Sequence, residues 1–196
     1  MTTRVWASVL VLAMGCSGRE PETADTSRPA SLACGYDSST RITPGGVGAL
    51  QLGLRDSVVT RSCEVLRDSM ETDAEGHPQR VMVVRVGPSS IRAEIVNGSV
   101  WRLTVQDAHL RTADRLGVGT TLGELLREEK LSAGNGESGV FVILSRLCGL
   151  SFRIDPRAPG IPRPWVVQDR KSLARAPLTT PVDMVLIVGR GPHCAA

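Results

Sequence analysis

The chain has 196 residues, with 23 Lys or Arg against 20 Asp or Glu, a formal net charge of +3 and only 3% aromatic residues. It contains no basic run that could follow a phosphate backbone and no series of aromatic residues on which bases could stack, so the composition argues against a nucleic-acid partner. The length suits one domain behind a short leader.

The start of the chain has the pattern of an export signal. Arg4 precedes an apolar run from Val5 to Met14, and small residues precede Cys16. The run is roughly ten residues long, too short to span a bilayer core of ~30 Å. The pattern predicts a signal peptide over 1–15 and a lipid anchor on Cys16. Because Ala13 stands where the lipoprotein signal usually has leucine, ordinary cleavage to a soluble secreted or periplasmic protein remains the alternative.

The residues after the predicted cleavage site indicate location and a tether. Ser17 follows the cysteine, where an aspartate would resemble the inner-membrane retention signal, so we expect the periplasmic face of the outer membrane in a Gram-negative host. Residues 16–33 are rich in Pro, Ser, Thr, Asp and Glu and have almost no large apolar side chains. This composition predicts a disordered tether, followed by a globular domain over 34–196.

The globular part contains a degenerate repeat. Leu50–Gly53 matches Leu116–Gly119 at an offset of 66 residues, and a short helical pattern follows each glycine turn. Thr121 and Glu124 form a capping box at the start of the second helix. We therefore predict copy one over about 42–107 and copy two over about 108–194.

Alternating apolar residues after each helix predict antiparallel strands. Asn97-Gly98 between two such runs is a strong hairpin signal. The predicted strands cover residues 80–87, 91–96, 99–107, 139–148, 150–155 and 182–189. The proline-rich stretch 156–181 between the last two is predicted to be a long irregular loop, a kind of segment that is often functional.

The five cysteines fit this organisation. If Cys16 carries lipid, four remain for two disulfides in an oxidising compartment. We expect Cys34–Cys63 and Cys148–Cys194, because each pair then lies within one copy, although four cysteines allow two other connectivities. No cysteines are clustered at the spacing of a metal site, so we expect no bound metal.

The predicted order of helix and antiparallel strands, written twice, resembles the small module of the barrel-assembly lipoprotein family and the β-lactamase-inhibitor-protein fold. Leu52-Gly53-Leu54 and Val118-Gly119-Thr120 match the glycine turn that leads into the first helix of those modules. The Ile42–Gly48 stretch also resembles uncharacterised lipoproteins of GC-rich bacteria. The resemblance implies an α+β domain of two helix-plus-three-strand copies that works through contacts with other proteins.

Few residues suggest chemistry. His109, Arg111 and Asp114 lie in the link 107–114 and could form an acid–base or binding cluster, although we favour caps and an Arg–Asp pair that hold the junction together. A G-x-G-x-x-G stretch over 134–139 follows a helix and precedes a strand, the reverse of a dinucleotide site, so we expect no cofactor.

Two tryptophans have different expected roles. Trp101 stands among alternating strand residues and is expected to pack in the core, whereas Trp165 lies in the proline-rich loop. An aromatic side chain on such a loop suits an interface hot spot, but we slightly favour the other interpretation, that Trp165 folds back and caps the edge of the core. We predict a non-enzymatic protein-binding or structural module with no catalytic residues. The alternative is a small-ligand binder or hydrolase at the 107–114 junction, with the loop as its lid.

Overall fold

The computed structural model describes residues 34–73, 75–136, 138–190 and 194. The predicted signal peptide, the lipidation site Cys16 and the tether up to residue 33 lie outside the described residues. Within the described ranges, no helix has the length and hydrophobicity needed to cross a membrane.

Short helices and many strands make up the described part of the chain. The helices are α1 (Asp56–Ser62), α2 (Leu122–Leu125) and α3 (Arg170–Leu173). The strands are β1 (Ile42–Thr43), β2 (Gly46–Val47), β3 (Leu50–Gln51), β4 (Val65–Thr72), β5 (Pro78–Val86), β6 (Ser89–Val96), β7 (Ser99–Val105), β8 (Leu131–Gly136), β9 (Gly139–Leu144), β10 (Leu150–Ile154) and β11 (Val182–Ile187).

The strands form two antiparallel sheets. A small sheet has the order β1-β2-β3, and a large sheet has the order β4-β5-β6-β7-β11-β10-β9-β8. The fold is thus antiparallel and contains both helices and strands, as predicted, but strands make up most of it. In both halves of the large sheet, successive strands run from an edge towards the centre, where β7 pairs with β11.

Each half of the sheet has four strands, so the expectation of three was wrong. The two missed strands, β4 and β8, are the edges of the sheet. The register of β4 shifts between Val65 and Arg67, which breaks its alternation, and β8 contains Gly134 and Gly136. Both glycines lie in β8, and Gly136 pairs with Gly139 next to the β8–β9 turn. The proline-rich segment also carries a helix, α3, that was not predicted.

One face of the large sheet carries the core. Side chains of this face pack with Val59 of α1, Leu122 of α2, Leu173 of α3 and Leu50 of the small sheet. The core residues from the sheet are Met82, Val84, Val86, Ile91, Ala93, Leu103, Val105, Val142, Phe152, Val185 and Ile187. We call the opposite face, which presents the alternate residues of the same strands, the open face.

Corresponding backbone hydrogen bonds attach each glycine turn to the last strand of its half. The bonds are Gly53 N to Val100 O at 2.8 Å, Val100 N to Leu54 O at 2.9 Å, Gly119 N to Val182 O at 2.7 Å and Val182 N to Thr120 O at 2.7 Å. Both glycines have positive φ, 78° and 88°, a conformation that favours glycine.

Two disulfides stabilise the domain, in the pairing expected from the sequence. Cys34 bonds to Cys63 with a Cα–Cα distance of 4.5 Å, and Cys148 bonds to Cys194 at 5.5 Å. The first joins the start of the described chain to the end of α1. The second joins the end of the β9 region to the chain beyond β11.

Candidate functional site

A polar groove of about 470 Å³ crosses the centre of the open face. The guanidinium groups of Arg92, Arg102 and Arg153 line it, together with Phe141 and Leu186. The strand register brings these residues together: Arg92 lies opposite Thr104 on β7, and Thr104 lies opposite Leu186 on β11.

A buried carboxylate forms the floor of the groove. Glu94 on β6 is only 1% exposed. It accepts hydrogen bonds from Arg102 Nε at 2.7 Å and Arg102 Nη2 at 2.8 Å, from Gln79 Nε2 at 2.8 Å, and from Arg92 Nη1. A buried charge is tolerated only when it is paired and hydrogen-bonded, as it is here. The network therefore fixes two arginine side chains across three neighbouring strands.

The arginines of the groove bond to further carboxylates. Arg92 Nη2 donates to Glu71 of β4 at 2.9 Å, and this bond is the main reason that the pKa of Glu71 lies below its ordinary value. Arg153 donates from Nε and Nη2 to Asp183, at 2.9 and 2.6 Å, and the carboxylate raises the pKa of Arg153. The groove is lined by cations whose charge is largely balanced within the sheet.

A second groove of about 570 Å³ continues along the open face past Arg92 and Thr104. Its lining includes Asp107 and His109 from the link after β7. His109 is exposed, and its Nδ1 lies 2.7 Å from Asp107 Oδ1. Burial of Asp107 opposes ionisation, but hydrogen bonds from the backbone and side chain of His109 outweigh it and lower the pKa of Asp107.

An apolar groove of about 470 Å³ lies at one end of the open face. Val96, Trp101, Val188 and Leu52 contribute to it, and Trp101 is 63% exposed. The expectation that Trp101 packs in the core was wrong. Glu94 pairs with Arg102 and Ile95 with Val100, so Trp101 is the extra residue of a bulge in β7, and this bulge interrupts the alternation on which that expectation rested.

The junction residues singled out from the sequence do not converge on one site. Arg111 donates to the Ala108 carbonyl at 3.0 Å and to Thr120 Oγ1 at 3.2 Å. Asp114 forms an ion pair with Arg146. His109 has Asp107 as its partner, so the three predicted residues have three separate sets of contacts. This arrangement agrees with the interpretation of the link as caps and ion pairs at a junction.

Trp165 does not lie on a free surface. It is 7% exposed, belongs to the core, and donates from Nε1 to the Ser172 carbonyl at 3.1 Å. The interpretation of Trp165 as an exposed interface hot spot was wrong, and the alternative that it folds back onto the core describes its position. The proline-rich segment orders this side chain through the capping box of α3, in which Asp169 accepts from Ser172 N.

Asp73, Glu75 and His77 come together in the β4–β5 turn. His77 Nδ1 lies 3.7 Å from an Asp73 oxygen and 3.5 Å from a Glu75 oxygen. Asp73 Oδ1 accepts the backbone N–H groups of Glu75 and His77, at 3.0 and 2.7 Å, which explains the cluster as turn chemistry.

The described geometry defines a class of domain: an antiparallel sheet of two four-stranded halves, packed on one face and open on the other. No protein-family model and no curated protein matches the chain. A solved structure does match, that of the uncharacterized protein yfeY from Escherichia coli, with a TM-score of 0.53 and 18% sequence identity. The match covers 75% of this chain and 98% of that chain, and at this identity it shows the fold alone.

Proposed function

We propose that this chain is a bacterial envelope lipoprotein that binds another envelope protein through its open face. The observation that carries the proposal is that the open face presents an exposed tryptophan and a groove lined by hydrogen-bonded arginines. Trp and Arg are the residue types most enriched among the residues that dominate binding energy in protein interfaces. Trp101 and the Glu94 network provide both, and Trp101 is the neighbour of Arg102 on β7.

A contact function fits the open face better than catalysis at the link. His109, Arg111 and Asp114 each bond to a different group, and that arrangement places no nucleophile beside a base. The arginines of the groove are held by neighbouring carboxylates, so they supply directional donors on a rigid surface. Rigid donors lose little conformational entropy on association.

The test is recovery of envelope partners by crosslinking and co-purification from the native host. Trp101→Ala should reduce recovery of a specific partner by about tenfold, because hot-spot truncation costs about 1.4 kcal/mol or more. Leu178→Ala is the matched control, since Leu178 is also an exposed apolar residue but is absent from the grooves of the open face. Equal recovery by the wild type and Trp101→Ala would contradict the proposal.

The proposed attachment through Cys16 has its own test. Metabolic labelling with a palmitate analogue should mark the wild type and not Cys16→Ser, and fractionation should place the labelled protein in the outer membrane. An unlabelled wild-type chain released as a soluble protein would support ordinary secretion in place of lipidation.

We further propose that the two halves are copies of one module that has four strands instead of three. The 66-residue offset and the matching bonds of Gly53 and Gly119 support it. Because both glycines have positive φ, Gly53→Ala and Gly119→Ala should each destabilise the fold by about 1 kcal/mol. Measured free energies of unfolding that differ severalfold between the two variants would count against equivalent roles.

The groove at Arg92, Arg102 and Arg153 supports a second candidate, a small anionic ligand. Guanidinium groups suit carboxylate or phosphate oxygens. A thermal-shift titration with inorganic phosphate and with a dicarboxylate tests this, using Arg102→Gln as the comparison. Stabilisation of the wild type alone would support the ligand. Absence of any shift would leave protein binding as the sole proposal.

A further inference from the structure

The two edge strands of the large sheet, β8 and β4, differ in whether another segment of the chain covers them. The β8 edge is flanked by the proline-rich segment, because α3 packs against β8 and Asn135 Nδ2 donates to the Val167 carbonyl at 3.2 Å. Arg170 of α3 donates to the carbonyls of Glu128 and Leu126 just before this strand. The proline-rich segment thus covers the β8 edge, which would otherwise be free to pair with a strand of another molecule.

The β4 edge has no such cover. β4 is eight residues long and pairs with β5 alone. Among the described residues, the backbone groups of Leu66–Thr72 make no hydrogen bond beyond β5. Leu66 and Met70 on this strand are 42% and 63% exposed. Natural sheets protect such an edge with charged side chains, proline, a bulge or a covering segment. β4 contains no lysine or proline, and its protection is limited to Arg67, Asp68, Glu71 and the register shift at its first residues.

The charges along β4 match a second copy of the same strand. Arg67 and Glu71 lie symmetrically on either side of Ser69 and face the same side of the sheet. We propose that β4 pairs antiparallel with β4 of a second copy of this chain, across a twofold axis at Ser69. In that register Arg67 lies opposite Glu71 of the partner subunit, and the opposite-charge pair occurs twice.

Neighbouring registers fit less well. An axis at Asp68 places two like charges directly opposite each other, which destabilises a strand pair. An axis at Met70 leaves Glu71 opposite a serine. The Ser69 register also places Met70 opposite Asp68 of the partner subunit, so that the two copies of Met70 become diagonal neighbours and cover each other.

The monomer shows that Arg67 already reaches along this edge. Its Nη2 donates to Glu71 of its own strand at 2.8 Å. On dimerisation, the Arg67–Glu71 ion pair within each strand is replaced by the same ion pair between the two subunits. The number of ion pairs does not change, so the charges determine the register and add little affinity. The new backbone hydrogen bonds and the covered apolar side chains supply the affinity. The dimer forms one continuous sheet with both open faces on the same side.

The test uses the chain from Ser17 onwards, exported to an oxidising compartment so that its disulfides form, and followed by sedimentation velocity across a concentration series. The wild type should dimerise. Arg67→Glu and Glu71→Lys should each weaken the dimer by about tenfold or more, since like charges then oppose each other twice. An equimolar mixture of the two variants restores opposite charges and should recover the dimer.

Arg157→Glu is the matched control, because it makes the same charge change in an exposed ion pair outside β4. It should dimerise like the wild type. A monomeric wild type, or a dimer that both β4 variants leave intact, would overturn the proposal, as would failure of the mixture to recover the dimer while both variants remain folded by circular dichroism.

A cysteine variant checks the register independently of charge. Ser69 should face Ser69 of the partner subunit at a Cα distance of about 4.5–5.5 Å, within the range of a disulfide. Ser69→Cys should therefore crosslink the dimer on oxidation. Thr72→Cys should not, because its two copies lie about 20 Å apart along the strands. Crosslinking at Thr72 alone would refute the Ser69 axis.

Discussion

The buried carboxylate of the open face provides the sharpest test of how this surface is held together. Glu94→Ala removes a side chain that is 1% exposed and that receives hydrogen bonds from Arg92, Arg102 and Gln79. The variant removes the carboxylate to which Arg102 bonds, whereas Arg92 keeps its bond to Glu71. Reorganisation of the two arginines would alter the groove without touching the core face of the sheet.

The expected loss in the free energy of unfolding depends on how exposed the Arg92 and Arg102 side chains are. Removing one partner of a buried ion pair costs about 3–5 kcal/mol when the other charge stays buried. Arg92 and Arg102 have side chains 31% and 38% exposed, so both regain water. We therefore expect Glu94→Ala to lower the free energy of unfolding by about 2–4 kcal/mol.

Glu71→Ala is the matched control, because Glu71 bonds to the same Arg92 but is partly exposed. Exposed ion pairs contribute about 0.2–1 kcal/mol and are screened by salt. Urea unfolding with the disulfides intact, at 0.05 and 0.5 M NaCl, measures both variants. Equal costs for the two variants, or a Glu94→Ala cost that disappears at high salt, would refute the distinction between a buried and an exposed carboxylate.

Three further predictions concern stability. Trp165→Ala should cost about 3 kcal/mol by urea unfolding, since it deletes a buried aromatic side chain, and it should leave partner recovery unchanged at saturating protein. The double variant Cys148→Ser/Cys194→Ser should lose about 2–4 kcal/mol, because the bond closes a 46-residue separation, and an unchanged unfolding midpoint would contradict this. Arg80 bonds to Asp68 and holds the pKa of that carboxyl below its ordinary value of 3.8. Because the folded state has the lower pKa, this contribution is complete above about pH 4 and is lost as the pH falls through the folded-state value. Urea midpoints between pH 6 and pH 2.5 should fall less in Arg80→Gln than in the wild type.

Local chemistry made part of the fold predictable. Asn97 and Gly98 have φ of 51° and 70° in the turn between β6 and β7, as a two-residue hairpin requires. Thr121 and Glu124 form the capping box at the start of α2. In both cases the decisive interactions join residues within three positions of each other, so the sequence alone contains the relevant information.

Elements that depend on distant partners were not predictable. β4 has weak alternation of its own and pairs with β5 throughout its length. From its sequence neighbours alone, Trp165 is expected to lie in an irregular loop. Its hydrogen-bond acceptor, the Ser172 carbonyl, belongs to α3, a helix that was not predicted. The groove on the open face depends on the register of β6 and β7. Glu94 lies opposite Arg102 only because the register shifts by one residue between Glu94 and Ile95. No property of these two residues in the linear sequence indicates that they meet.

The charge balance of the open face limits how a partner is recognised. Arg92 and Arg102 bond to Glu94, Arg92 also bonds to Glu71, and Arg153 bonds to Asp183, so three carboxylates balance three guanidinium groups and the groove projects little net field. Long-range steering needs an uncompensated patch, and association here should depend only weakly on ionic strength. Specificity then depends on short-range fit to the fixed donors in the arginine groove and to the exposed side chain of Trp101 in the apolar groove. A partner that presents an apolar pocket beside hydrogen-bond acceptors would match both, whereas a uniformly acidic surface would compete with carboxylates that already satisfy these arginines.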